Sequence, residues 1–284
     1  MSRKITVITG LTSSGKTNLA IQLAKTIDAE IICADSRAVF KDFDIVSAKP
    51  TIEERESIVH HLIDVVSPND DFSAGDFVKL AQNVIEKTKK NIIIAGGTWF
   101  YIKSLLDCDA LLDCPKDTEL RNELDKLDSV ELWNKLKQID PARAELIHPN
   151  NRDKVIRSIE MCMHLKKPVS EVLRPKNTDY KAKWFMPDIS RQDVYERINK
   201  RVDLMVSQGL YEEWQKNKEL YPNSKVLKNT IGYQEFFDFG YDEAVEKIKQ
   251  HTRNFAKRQI TYFKSRDDIV KIKNVEDILE NLSF

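Results

Sequence analysis

Gly10-Leu11-Thr12-Ser13-Ser14-Gly15-Lys16-Thr17 has the spacing G-x-x-x-x-G-K-[ST], a pattern suited to gripping a diphosphate or triphosphate. In such a loop the backbone N–H groups around Gly10, Thr12, Ser13, Ser14 and Gly15 converge on phosphate oxygens. Lys16 adds positive charge, and the Thr17 hydroxyl reaches Mg²⁺. Asp35 follows a second strand-like run, at the sheet edge where doubly wound folds bind ligands. It can act as a general base, partner Mg²⁺, or simply cap the next segment. A further apolar run, Asn91 to Ala95, ends in Gly96-Gly97-Thr98. Many phosphate-loop kinases and hydrolases place an acid there to help hold Mg²⁺, whereas this chain offers backbone, space and one hydroxyl. The glycines allow a bulky ligand to approach the backbone, or serve a tight turn. The loop alone leaves open whether phosphate is transferred, hydrolysed or expelled, and a chance glycine-rich turn is its plain alternative.

The elements around these residues read as α/β. Strand-like runs recur at Ile5 to Thr9, Glu30 to Ala34, Leu62 to Val66 and Asn91 to Ala95, with helical periodicity between them. That alternation predicts a parallel sheet covered by helices on both faces, of the phosphate-loop NTPase type. After Thr17, Leu19, Leu23 and Ile27 share one helical face; Phe72 to Lys90 carries a second amphipathic helix. From Cys114 to Tyr180 strand signals disappear, and charged helical segments begin near Asp117, Ser129, Pro141 and Asn151. The predicted organisation is a core over residues 1–113, an all-helical insertion over 114–183, and the rest of the core over 184–284. In that last part a long helix is expected from about Tyr241 to Lys264 with Ile248, Phe255 and Tyr262 on one face, and Ile269 to Ile272 is a candidate closing strand.

Composition narrows the function classes only a little. Among 284 residues, 45 basic and 45 acidic side chains balance, so nucleic-acid binding would have to rest on local patches. Such patches exist at Arg152, Lys154 and Arg157, and along Arg253, Lys257, Arg258 and Lys264, although solvated helix faces look similar. Arg197 and Arg201, four apart, are candidates for a phosphate. The four cysteines show neither C-x-x-C pairs nor finger spacing, which points to reduced thiols. His60-His61 has no third ligand at credible spacing, so packing or hydrogen bonding is the expectation. With no apolar stretch of membrane-spanning length, a cytoplasmic monomer without membrane attachment is expected.

Taken in order, these motifs resemble the tRNA dimethylallyltransferases, or tRNA isopentenyltransferases, over nearly the whole chain. The resemblance rests on Gly10 to Thr17; Ala34-Asp35-Ser36-Arg37-Ala38-Val39-Phe40; Asp44-Ile45 with Ala48-Lys49-Pro50; His60-His61-Leu62-Ile63-Asp64; and Gly96-Gly97-Thr98 with Tyr101. It continues through His148-Pro149-Asn150, Arg157 with Glu160, Tyr195-Glu196-Arg197-Ile198 with Arg201, Ile231 to Glu235, and Thr252-Arg253 with Ala256-Lys257-Arg258-Gln259. Leu11, Phe40 and Ser47 stand where the family usually has proline, tyrosine and threonine. Trp99-Phe100 is an unusual filling after Thr98.

The resemblance implies transfer of a dimethylallyl group from dimethylallyl diphosphate to the exocyclic amine of the adenosine immediately 3′ of the tRNA anticodon. It implies Asp35 as general base with Thr98 fixing the geometry. The phosphate loop and Arg201 would hold the leaving diphosphate, with Mg²⁺ on Thr17. For the tRNA anticodon stem-loop it implies contacts at Asp35, Ser36, Arg37, Ala38, Thr98, Arg121, Asp153, Lys154, Val155, Ile156 and Arg157. The nearest rival is an adenylate isopentenyltransferase acting on free AMP, ADP or ATP, which needs no RNA clamp. A small-molecule kinase would want the missing acid; a non-catalytic RNA-binding module would not need Asp35 for turnover.

Overall fold

The β-strands are short, β-branched and apolar because both of their faces are covered, as a parallel sheet requires. A computed structural model describes residues 3–107, 114–172 and 180–283. It divides into two compact units, one formed by Met1–Leu106 with Asp179–Phe284, the other by Asp107–Thr178.

In the first unit β1 (Arg3–Thr9), β2 (Ala29–Cys33), β3 (His60–His61), β4 (Asn91–Gly96), β5 (Tyr180–Pro187) and β6 (Ile269–Ile272) form one parallel sheet in the order β3-β2-β4-β1-β5-β6. Side chains alternate across it. Ile5, Val7, Ile92 and Ile94 pack beneath helices Ala74–Lys87 and Trp99–Leu106. Ile8, Ile31 and Ile93 face Lys16–Ile27 and Val275–Asn281. Helix Ala74–Lys87 starts at a capping box, Ser73 with Asp76, which satisfies backbone donors at its open end.

Two expectations need correcting here. The run Leu62 to Val66 is not a strand: β3 stops at His61, and Leu62 and Asp64 adopt φ of 64° and 58°. Left-handed residues break the extended pleat, so only Val66 is left to bridge Phe40. On the long helix, Tyr241–Phe263, the inward side chains are Ala244, Ile248, Ala256, Gln259 and Phe263, while Tyr262 is exposed. The buried face is thus offset by one position from Phe255 and Tyr262, and it carries a glutamine.

The second unit is all helical: Thr118–Leu124, Ser129–Ile139, Pro141–Glu145, Arg152–Leu165 and Val169–Val172. Leu124, Leu132, Leu136, Ile147, Val155 and Ile159 form its core. Asp128 and Glu131 make a capping box. Buried Asp140 accepts from the N–H groups of Arg143 (3.0 Å) and Ser170 (2.8 Å), joining two further helix starts. No helix among the described residues is long and apolar enough to cross a membrane.

Candidate active site at the carboxyl edge of the sheet

The loops that follow β1, β2 and β4 meet at one edge because these three strands are neighbours in the sheet. The phosphate loop leaves β1 and enters helix Lys16–Ile27 through Gly15, whose φ of 90° suits glycine. Ser13 is also left-handed, at φ 60°, a strained state for a residue with a side chain. Leu11 is buried with Val194, Ile198, Ala256 and Phe263. Burial of that side chain contributes about 2 kcal/mol. The Oγ atoms of Ser13 and Ser14 are buried without a partner. Such hydroxyls call for a ligand with acceptor oxygens.

Two cations flank the loop. The Lys16 ammonium donates to the Leu11 carbonyl at 3.0 Å. Burial, then the charge of Arg201, lowers its pKa to about 8, with Asp35 and Cys33 pulling the other way. Arg201 donates to the Ser47 carbonyl at 3.3 Å, and its pKa is likewise pulled down by burial and held up by Asp35. A single carboxylate therefore acts on both half-buried cations. Arg197 approaches the loop at Gly15, its Nη1 lying 3.8 Å from where a Cβ would sit. Neighbouring Cys33 is pushed up to about 12 by burial and by Asp35, so its thiol stays protonated at neutral pH.

Asp35 is fixed by its own turn, Oδ1 accepting the N–H groups of Arg37 (2.8 Å) and Ala38 (3.2 Å). The next tie runs across the sheet edge, where the Thr98 hydroxyl accepts the Ser36 N–H at 3.0 Å and the Thr98 N–H donates to the Ala34 carbonyl at 3.1 Å. Gly96 makes this closeness possible. A Cβ there would lie 2.1 Å from the Ala34 carbonyl oxygen. The end of β4 is thus pressed against backbone, with no room for an acid.

Arg37 and Ala38 belong to the same turn as Asp35. Arg37 donates to the carbonyls of Ser36 (3.1 Å) and Asn229 (3.3 Å), and Ala38 is buried. In the helical unit, Glu160 is 1% exposed and accepts from Arg121 at two atoms (2.8 Å each), from Arg157 (2.6 Å) and from the Asp117 N–H (2.7 Å). Arg157 also donates to the Cys114 carbonyl at 2.6 Å. Val155 and Ile156 are 0% and 5% exposed: their side chains belong to the inward stripe of Arg152–Leu165. Asp153 and Lys154 lie on its exposed side. His60 donates from Nδ1 to the Ile58 carbonyl, and His61 pairs with Glu30. Cys108 lies outside the described residues.

Gln259 touches both the loop and the strand-end turn, a role that its place in the run Ala256-Lys257-Arg258-Gln259 does not reveal. Its signal was a lone amide on an apolar helical face.

Fold and site together define a phosphate-loop α/β protein that holds a carboxylate near two half-buried cations. The IPP transferase family matches residues 38–266. The tRNA dimethylallyltransferase of Acetivibrio thermocellus is 40% identical over 301 aligned positions, covering 99% of this chain and 96% of that protein. A Staphylococcus aureus tRNA dimethylallyltransferase is 41% identical, covering 92% and 90%. Among solved structures, a tRNA isopentenylpyrophosphate transferase of Staphylococcus epidermidis superposes with a TM-score of 0.69 at 38% identity, covering 96% of this chain and 94% of that one. A eukaryotic dimethylallyltransferase acting on tRNA reaches a TM-score of 0.83 at 27% identity, covering 99% and 77%. The chain belongs to the IPP transferase family, that of the tRNA dimethylallyltransferases.

Proposed function

We propose that this protein transfers a dimethylallyl group from dimethylallyl diphosphate to the exocyclic amine of the adenosine immediately 3′ of the anticodon in tRNA, releasing diphosphate. The observation that carries the reading is Asp35, a carboxylate acting electrostatically on both Lys16 and Arg201 and tied through Ser36 to Thr98. A diphosphate that departs with the bonding electron pair gains a further negative charge and needs donors in place beforehand. Lys16, Arg201 and the orphaned hydroxyls of Ser13 and Ser14 are suited to that work. The adenine amine attacks the first carbon of the prenyl chain, the carbon–oxygen bond to diphosphate breaks with its electron pair on oxygen, and the amine proton passes to Asp35. Thr98, whose oxygen already accepts from Ser36, has its own hydroxyl proton to donate toward substrate.

Mg²⁺ fits the donor set at the loop. A hard cation takes oxygen ligands and keeps few protein contacts when a diphosphate supplies the rest, and Thr17 would be its protein ligand. When bound, the ion neutralises charge on the diphosphate.

The adenine has to leave the stacked anticodon loop to reach Asp35, so a flipped-out base is part of the proposal. Lys154 and Asp153, exposed on the helical unit, together with the Arg121–Glu160–Arg157 cluster, are the proposed backbone-facing surface, and binding should weaken as salt rises. The chain would act in the cytoplasm, as a monomer. The test supplies labelled dimethylallyl diphosphate and Mg²⁺ with an unmodified anticodon stem-loop or with AMP. Label in the stem-loop is expected. Label only in AMP would move the acceptor to a free nucleotide, and ATP consumption without prenyl transfer would overturn the reaction class.

A further inference from the structure

Gln259 is 4% exposed, and both ends of its amide are used. Oε1 accepts the Thr12 N–H at 2.8 Å, and Nε2 donates to the Gly97 carbonyl at 3.1 Å. The partners are a backbone donor and a backbone acceptor, so the amide orientation is dictated by chemistry. One partner belongs to the phosphate loop and the other to the turn that presents Thr98. Gly97 is squeezed between them: a Cβ there would lie 2.5 Å from Nε2, 3.3 Å from the Gly10 carbonyl and 3.7 Å from the Lys16 side chain. The Thr12 N–H, a donor expected to face phosphate, is instead spent on Gln259.

We propose that Gln259 is a positioning residue that sets the separation and angle between the diphosphate end and the acceptor end of the site. The assignment rests on the prenyl-transfer reading. Displacement at carbon requires the attacking nitrogen, the carbon and the leaving oxygen in line, with reacting atoms about 3–3.5 Å apart. Loop residues grip one side of that line; Asp35 and Thr98 hold the other. A buried amide that cannot rotate without losing two hydrogen bonds makes the two halves move as one piece. Its removal leaves each half with its own binding groups, so the damage falls on the chemical step and spares affinity.

Gln259→Met keeps the volume and removes both hydrogen bonds; Gln259→Glu keeps the acceptor for Thr12 and sets an oxygen against the Gly97 carbonyl. Single-turnover rates with both substrates saturating are compared with dissociation constants for inorganic pyrophosphate and for the stem-loop. The Met variant is expected to lose about ten-fold or more in rate while each dissociation constant moves by less than about three-fold. Gly97→Ala should also slow the step, by driving its methyl into Nε2. Gly97→Ala combined with Gln259→Ala should lose clearly less than the product of the two single losses, because the clash with Nε2 has gone. An unimpaired Met variant, losses that multiply in the double variant, or abolished pyrophosphate binding in both the Met and Glu variants would overturn the assignment. Failure of the unaltered protein to transfer a prenyl group would instead overturn the functional reading beneath it.

Discussion

The Thr98 hydroxyl accepts the backbone N–H of Ser36 at 3.0 Å, so the turn after β4 is fastened to the turn after β2 one residue from Asp35. That contact joins two residues 62 positions apart. It converts a strand-end hydroxyl into a brace for a carboxylate.

Thr98→Val should strand the Ser36 N–H and cost about 1–3 kcal/mol of stability, with a fall in turnover that Thr98→Ser largely restores. Asp35→Asn separates chemistry from architecture, since an amide oxygen can still accept from Arg37 and Ala38. Transfer should drop by about 10²–10⁴ with stem-loop affinity retained. Turnover close to that of the unaltered protein would remove Asp35 from the role of base.

Lys16, with its pKa lowered to about 8 by burial and by Arg201, is charged below that pH and neutral above it. Diphosphate favours the charged form, so affinity should decline as pH rises through about 8, and binding should take up a proton there. Titration calorimetry of the unaltered protein against Lys16→Met isolates the effect from ionisation of the ligand itself. Parallel pH profiles in the two proteins would refute it.

Glu160 offers a test of the helical unit. Burial pushes its pKa up, but hydrogen bonds from Arg121, Arg157 and the Asp117 N–H outweigh that and hold it at about 2, against an ordinary 4.5. A depressed carboxylate stabilises the fold above its unfolded pKa, and that stability is lost as pH falls from about 4.5 to about 2. The contribution is on the order of 3 kcal/mol. Acid unfolding of the helical unit should therefore steepen in that window, and Glu160→Gln should flatten it while lowering stability at neutral pH. Thermal melts between pH 2 and pH 7, taken as about the useful range for carboxylate linkage, decide the matter.

Gly96→Ala should be far more damaging than its chemistry suggests. The added methyl meets the Ala34 carbonyl oxygen at 2.1 Å, and backbone in a central ladder yields little. A loss of about 3 kcal/mol is expected, read as a lower denaturation midpoint. Gly240→Ala, whose Cβ meets nothing within 4 Å, is the control.

What could be read ahead of the structure divides along physical lines. Strand runs in β1, β2 and β4 were legible because they are apolar on both faces and flanked by turns. The Lys16–Asp35 association was legible from topology, as they follow β1 and β2, the two strands that flank β4 in a parallel sheet. Leu62 and Asp64 were not, since their left-handed backbone leaves no mark in residue type. Gln259 was hidden because its two partners are backbone atoms, one far earlier in the chain. Val155 and Ile156 show the opposite hazard: residues in a motif can matter by packing the helix on which its exposed neighbours stand.

The bond between Thr12 and Gln259 spans 247 positions, and β1 is completed by pairing with β5, whose first residue is Tyr180. Synthesis therefore delivers the phosphate loop long before its brace. A nascent chain holds an unfinished grip on diphosphate until its final long helix emerges, and such non-local closure slows folding. Truncation ahead of Gln259 would thus disable a motif that lies 247 positions earlier.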